Sequence, residues 1–566
     1  MKYPSIRRAL GVAAAALVAL TFVTAPPAVA ADAPYNVLVF SKTASFRHDS
    51  IPVGIQTIRD LGAANSFTVT ATEDSSQFNA TNLARFQAVV FLNTTGDVLD
   101  GNQQSAFESY IRGGGGYVGV HSAADTEYDW PFYGELVGAW FAQHPAIQQA
   151  TVRVENRAHA ATAGLAQSMV RTDEWYDFRT NPRSTARILS TLDESTYSGG
   201  RMGADHPHTW CKAITGGRSF YTGAGHTQAT YAEPGFRALL LGGIRYAANR
   251  TKADCRPETG YTTLYNGSTT GWSQAGPGGF SNNDATLTAF DGLGMLWYSA
   301  KEFRSYSLKL DWRMPGDDNS GVVLGFPAGS TADSALTTGY EVQIDATDSV
   351  DRTTGAIYGV KAPDTAARDA ALNPPGEWNT YELLVEGERL QVLLNGVKIN
   401  DFTNTDPVRS LTSGHIAIQN HGTGDDVAFR NIRIKELGGT PPRTGPITSA
   451  TGKCVDVSGS GSDGAKIQLW TCNSGANQQW TVSGTTLRAL NKCMGVAGGS
   501  TANGAQVQLS TCNGSGGQNW AAGANGSLVN SQSGKCLDAN GASTADGTQL
   551  IIWTCHGGTN QRWTLP

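Results

Sequence analysis

Beyond residue 447 the chain repeats itself three times, and this periodicity restricts the fold more than any other feature. Gln-x-Trp occurs at Gln478–Trp480, Gln518–Trp520 and Gln561–Trp563, with 40 and 43 residues between tryptophans. Each Gln follows by six residues the second member of a cysteine pair: Cys454/Cys472, Cys493/Cys512 and Cys536/Cys555, spaced 18, 19 and 19. A unit of about forty residues cannot bury a core alone, so the three must share one. The pairs predict three short disulfides. The remaining cysteines, Cys211 and Cys255, are read as a fourth disulfide, the alternative being two buried thiols.

An even set of eight cysteines suits an oxidising compartment. Lys2, Arg7 and Arg8 precede an apolar run from Ala9 to Val23, and Ala28-Val29-Ala30 follows. Residues 1–30 therefore read as a secretory signal, too short for a membrane span, and the protein as extracellular. Without those three cations the net charge moves from −6 to −9. No Lys/Arg run stands out in the remainder, which argues against a nucleic-acid or membrane partner. Hydrophobic residues at 40% exclude wholesale disorder. Charged residues at only 16% suit loop-rich β domains.

Two further bodies precede the repeats. In 36–250, Val37–Phe40, Ala88–Leu92 and Tyr117–Val120 read as buried strands, while Ile51–Leu61 and Gln103–Arg112 have helical spacing. Strand alternating with helix predicts a parallel sheet covered on both faces. Cys255–Gly260 reads as a connector. From 261 to 437 the period becomes two, and Asn395-Gly396 between apolar runs signals a hairpin. Many strands and almost no helix predict a β-sandwich. A Gly/Pro-rich linker, 438–446, leads into 447–566.

The repeats resemble the ricin B lectin family, which implies a β-trefoil with a sugar site in each competent repeat. Such a site needs an acid to accept ring hydroxyls, an aromatic face and an orienting amide. The first repeat offers Asp456, Gln468, Trp470 and Asn477. The third offers Asp538, Trp553 and Asn560, with Ile551 where the first has Gln468. In the second, Gly495, Ser510 and Gly517 replace acid, aromatic and amide, so two sites are expected.

In the middle segment Asn319-Ser-Gly321, Gly339–Asp345, Gly376–Asn379, His415–His421 and Phe429–Ile432 together resemble a family associated with hydrolysis of 3-keto-disaccharides and 3-keto-glucosides. The resemblance implies a concanavalin-like jelly roll. Strand alternation puts Glu341, Gln343 and Asp345 on one face and Val342 and Ile344 on the other. His415, Ala417, Gln419 and His421 face out beside it, with Trp378 or Tyr358 as an aromatic wall. The implied chemistry removes a C2 proton made acidic by a C3 ketone, expels the C1 substituent and adds water. Glu341, Asp345 and His421 are the candidate acid/base groups, and Arg430 a candidate electrophilic partner. Ordinary polar-out alternation is the competing reading.

Seven of the ten histidines fall within 36–250. Lys42–Ile51, Gly119–Asp125, Asp173-Glu-Trp-Tyr176, Asp205-His-Pro-His208 and Tyr221–His226 together resemble the ThuA (trehalose utilisation) family. That resemblance implies a class I glutamine-amidotransferase-like α/β fold and a link to keto-sugar metabolism. His121 stands after a strand, where amidotransferases place a catalytic cysteine, so glutamine hydrolysis is not expected. His48, His121, Asp125, Glu174 and His226 are the candidate catalytic residues for acid/base or metal-assisted chemistry. A divalent metal is left open as cofactor, since no close His-x₃-His spacing occurs. The whole reads as a secreted, modular carbohydrate-active hydrolase whose lectin module holds it near polymeric or oligomeric carbohydrate. The alternative is a non-catalytic glycan-binding protein.

Overall fold

The structure, a computed structural model, describes residues 32–437, 443–459, 461–483, 485–513 and 515–566. The signal-like segment 1–30 lies outside the described residues, as does 438–442 of the linker.

The first domain is an α/β sandwich. Its strands are β1 (Tyr35–Phe40), β2 (Phe67–Thr72), β3 (Ala88–Leu92), β4 (Gly116–Val120), β5 (Gln148–Val154), β6 (Ser168–Asp173), β7 (Arg187–Asp193), β8 (His206–Ala213) and β9 (Arg218–Thr222). They form one sheet in the order β2-β1-β3-β4-β9-β8-β7-β5-β6. Helices α1 (Ile51–Ala64) and α2 (Gly101–Arg112) cross between the early strands, and α3 (Pro234–Ala247) follows β9. An Asp100/Gln103 capping box starts α2. Alternate residues of one strand serve opposite faces: Val37 and Val39 meet α1 and α3, whereas Leu38 and Phe40 lie with Phe107 and Ile111 of α2.

The expected all-parallel sheet needs one correction. β1 to β4 and β9 are parallel, but β5 to β8 pair antiparallel. No α-helix lies between β5 and β9, and without a crossover helix successive strands fold back as hairpins.

The second domain is a jelly-roll-like sandwich of an eight-stranded and a five-stranded sheet. Asn395 and Gly396, with φ of 48° and 88°, turn the hairpin between Arg389–Leu394 and Val397–Thr403. The five-stranded sheet contains β10 (Asn319–Phe326), β11 (Tyr340–Asp345) and β12 (His415–Asn420), in the order β12-β10-β11. Val342, Ile344, Ile416 and Ile418 enter the core between the sheets, as their alternation requires.

The connector is no loose spacer. Cys255 is bonded to Cys211 of β8, and Glu258 is buried against Arg433 Nε (2.5 Å), Arg187 Nη1 (2.8 Å) and Lys309 Nζ (3.3 Å). Asp254 accepts a second bond from Lys309 at 3.0 Å. A charged network thus fixes the first domain to the second.

The third domain is a β-trefoil. Trp480, Trp520 and Trp563 share one core, and each indole N–H donates to a backbone carbonyl of its own repeat, on Val455, Met494 and Leu537. Disulfides Cys454–Cys472, Cys493–Cys512 and Cys536–Cys555 staple the repeats with Cα–Cα distances of 5.0, 5.1 and 5.1 Å. Among the described residues no helix is long and apolar enough to cross a membrane.

Candidate functional site

In the α/β domain the sequence candidates converge at the carboxyl edge of the parallel strands, where open α/β sheets take ligands. His121 follows β4 directly and has φ of 48°, a backbone conformation rare for a non-glycine residue. Its Nδ1 lies 2.8 Å from the Gly223 carbonyl, which can only accept, so Nδ1 carries a proton and the neutral ring has its lone pair on Nε2. That Nε2 stands 3.3 Å from Glu174 Oε2 and 3.2 Å from His226 Nδ1, which is itself 3.0 Å from the same carboxylate oxygen. His48, in the loop after β1, places Nδ1 3.3 Å from Ser122 Oγ and its ring about edge-on to His121 and His226.

The electrostatics of this group are tightly linked. Burial, then the neighbouring His121 and His226, push the His48 imidazole down to about 3. Burial works against a charge on Glu174, but the neighbouring His121 and His226 prevail and hold its carboxyl well below the usual range. Burial also opposes protonation of His226, yet Glu174 raises it above its ordinary value.

Asp125 does not join the cluster. Its carboxylate accepts from Tyr128 Oη at 2.6 Å, and burial raises its pKa. Three supporting residues are absent from the sequence-based candidates. His144 meets Glu174 Oε1 at 3.1 Å, and Ser122 holds His48. Asp173 receives Gly225 N (2.9 Å) and Thr227 N (3.2 Å), which fixes the loop bearing His226. In the sequence Asp173 stands out only as the first residue of the Asp173-Glu-Trp-Tyr176 motif.

In the jelly roll the outer face of the five-stranded sheet carries a second group of candidate residues. Gly321 of β10 pairs with Gln343 on one side and Gln419 on the other. Glu341 leans across it, so that a Cβ at Gly321 would stand 2.0 Å from Glu341 Oε1. Glu341 Oε1, Gln343 Oε1 and Gln419 Oε1 are buried acceptors without a hydrogen-bond partner. Burial pushes the Glu341 carboxyl up to about 8.

Of the other candidates of this domain only Tyr358 adjoins Glu341, its backbone N–H donating to the Glu341 carbonyl at 3.0 Å. Asp345 Oδ1 is engaged by the backbone N–H groups of Thr347 and Asp348, both at 2.9 Å, in a turn. His421 is more than half exposed beside Asp425. Trp378 and Arg430 belong to the opposite, eight-stranded sheet. There Arg430 stacks on Trp378 at 3.6 Å, and Trp378 packs on Ala158 of the first domain, so neither borders Glu341. Tyr358 is exposed beneath Arg352.

In the trefoil the candidate sugar-binding side chains gather around one acid in each of the first and third repeats. Asp456 is buried, with Oδ1 receiving Gln468 Nε2 (3.1 Å) and Oδ2 receiving Asn477 Nδ2 (2.7 Å) and Gln478 Nε2 (2.9 Å). Asp538 Oδ2 receives Asn560 and Gln561, both at 2.8 Å. Trp470 and Trp553 keep 39% and 42% of their surface exposed, unlike the core tryptophans, and so present a face to solvent. In the second repeat Gln518 turns to Ser510 Oγ (2.9 Å) because Gly495 offers no acid. Gln478 and Gln561 were legible as repeat markers but not as clamps on the acid.

Three family models match the chain in order. Residues 36–247 match the trehalose utilisation (ThuA) family, 260–435 the 3-keto-alpha-glucoside-1,2-lyase-like domain, and 443–563 the ricin-type β-trefoil lectin domain. A ThuA-like protein of Bacteroides uniformis is 23% identical, with a TM-score of 0.35 over 39% of this chain and 94% of its own. A protein of Parabacteroides distasonis described as a glycosyl hydrolase is 25% identical, with a TM-score of 0.28 over 32% of this chain and 94% of its own. Nigrin b of Sambucus nigra is 46% identical over 50 residues, 8% of this chain and 9% of its own length.

Proposed function

We propose that the protein is a secreted, modular hydrolase of 3-keto-glycosides, tethered to glycan by its trefoil. The observation that carries this reading is the trio of unpartnered acceptor oxygens on Glu341, Gln343 and Gln419 around Gly321. Buried acceptors without donors are costly, and sugar hydroxyls are donors of the right kind. The match of 260–435 to the 3-keto-alpha-glucoside-1,2-lyase-like domain supports this substrate class.

Glu341 is the base in this reading. With the C3 ketone drawing electrons, its carboxylate takes the C2 proton and the C–H pair becomes the C1=C2 bond. The C1–O bond breaks, and the departing oxygen takes a proton. Water then adds across C1=C2, with oxygen at C1 and hydrogen at C2, so the sum is hydrolysis. A base with pKa about 8 is matched to a weakly acidic C–H near neutral pH. Gln343 and Gln419 orient hydroxyls.

Extracellular location accords with four disulfides. The first- and third-repeat trefoil sites raise the local concentration of the hydrolase at polymer surfaces.

The test compares aglycone release from a 3-keto-α-glucoside and its unoxidised counterpart. Wild type should act on the ketone alone, and Glu341→Gln should be inert while retaining its fold by circular dichroism. If wild type releases nothing from either while glycan binding persists, the protein is a lectin and the hydrolase reading fails.

A further inference from the structure

His48, His121, Glu174 and His226 of the α/β domain form, we infer, a binding site for one divalent first-row transition metal ion, of which zinc is the representative. One donor atom from each lies within 4.8 Å of the other three. Bonds of about 2.0–2.1 Å at tetrahedral angles place neighbouring donors roughly 3.3 Å apart. The separations among His121, Glu174 and His226, 3.0, 3.2 and 3.3 Å, match three edges of such a polyhedron, and the His48 donor stands within 4.8 Å of each of them.

Proton bookkeeping favours a cation over a hydrogen-bond network. The Gly223 carbonyl fixes the His121 proton on Nδ1. With a neutral ring, Nε2 of His121 and Oε2 of Glu174 face each other at 3.3 Å as two lone-pair donors. One proton on His226 Nδ1 cannot satisfy both. His48 has its Nδ1 on Ser122, which leaves Nε2 for the cluster. A metal ion at the centre satisfies every one of these lone pairs.

Outer partners are those a metal ligand set needs. The far nitrogen of His121 is bonded to a carbonyl, that of His48 to a hydroxyl, and the second oxygen of Glu174 to His144. Two other groups of donors occur among the described residues, and neither fits. His159 lies beside Cys211 and Cys255, whose sulfurs are spent in a disulfide. In the Asp177/Glu194/His206 group, His206 is already bonded through Nδ1 to Glu194 and through Nε2 to the Tyr176 carbonyl.

His121 is fully buried, whereas the His226 side chain is 19% exposed, so the ion would be reached from the His226 side. Imidazole nitrogens with one carboxylate select zinc and its first-row neighbours over magnesium or calcium. A metal there would polarise a sugar oxygen or a bound water. That chemical role rests on the carbohydrate reading above, but the binding does not.

The full chain, stripped with chelator and dialysed, is titrated with Zn²⁺ and separately with Co²⁺ without any sugar. One ion per chain should bind, Co²⁺ should give visible d–d absorption, and Zn²⁺ should raise the melting temperature. Glu174→Gln, which keeps shape and hydrogen bonding, should lose the absorption and the thermal shift. His121→Ala should do the same, and His144→Ala should weaken binding by about 10–100-fold at unchanged stoichiometry. No binding to wild type, or binding unchanged in Glu174→Gln and His121→Ala, overturns the assignment. Because no substrate is present, either result leaves the activity of Glu341 separately measurable.

Discussion

Glu341 Oε1 occupies the space that a side chain on Gly321 would take, 2.0 Å from where its Cβ would stand. The glycine is therefore required by its neighbour across the sheet, not by its own backbone. Gly321→Ala must push Glu341 from its place above the strand. Overpacking of this kind costs about 1–3 kcal/mol. Turnover of a 3-keto-glucoside should fall at least as far as the protein's stability permits, while sugar binding by the trefoil stays at the wild-type value. Calorimetry of the two activities on one preparation checks this.

Glu341 also sets a pH dependence of stability. Its folded pKa of about 8 lies above the unfolded value, so the folded state retains a proton that the unfolded chain has released. The contribution is fully present below about pH 4.3 and is lost as pH rises through 8. Glu341→Gln, neutral at every pH, should be little changed near pH 5 and more stable than wild type by a few kcal/mol at pH 9. Chemical denaturation of both proteins across that range measures the difference, and parallel curves would show that Glu341 is ionised in the fold.

The connector carries the opposite sign. Burial disfavours charge on Glu258, but Arg433 and Arg187 outweigh it and hold the carboxyl well below its ordinary value. Its stabilisation is present above about pH 4.3 and is lost as pH falls below that. Glu258→Gln leaves three cations short of a partner and should cost about 3–5 kcal/mol at pH 7. Thermal unfolding at pH 7 should show the loss, and the gap to wild type should narrow in acid.

Much of this was legible from residue pattern. Period-two alternation placed Val342 and Ile344 inside and Glu341 and Gln343 outside, and cysteine spacing gave the trefoil pairs. What the pattern could not carry was distance along the chain. His48, His121, Glu174 and His226 come from four separate loops, and only the sheet order brings them to one edge. Asp125, close to His121 in sequence, is drawn away by Tyr128. The sequence suggests Trp378 as an aromatic wall of the groove and Arg430 as an electrophilic partner of its acid/base groups. The sandwich puts them on the far sheet, where they meet the first domain. The antiparallel half of the first sheet was missed because its strands lack intervening helices.

The trefoil should bind sugar with a stoichiometry of two on the full chain. Hydrogen bonds to a charged acceptor contribute about 1.5–3 kcal/mol each, so Asp456→Ala or Trp470→Ala should abolish one site and Asp538→Ala or Trp553→Ala the other. The third-repeat site should be the weaker, because Ile551 supplies no amide to Asp538. Titration calorimetry with galactosides, xylosides and arabinosides decides it. Two sites persisting in an Asp456→Ala/Asp538→Ala double variant would place the sugar elsewhere.

The most direct measurement follows one hydrogen atom. A 3-keto-α-glucoside deuterated at C2 is given to the full chain in ordinary water, and aglycone release and label are tracked together. Elimination through Glu341 predicts that each release event exchanges the C2 deuterium for solvent hydrogen, and that Glu341→Gln does neither. Aglycone released with its C2 deuterium retained, or released equally by Glu341→Gln, would contradict the account.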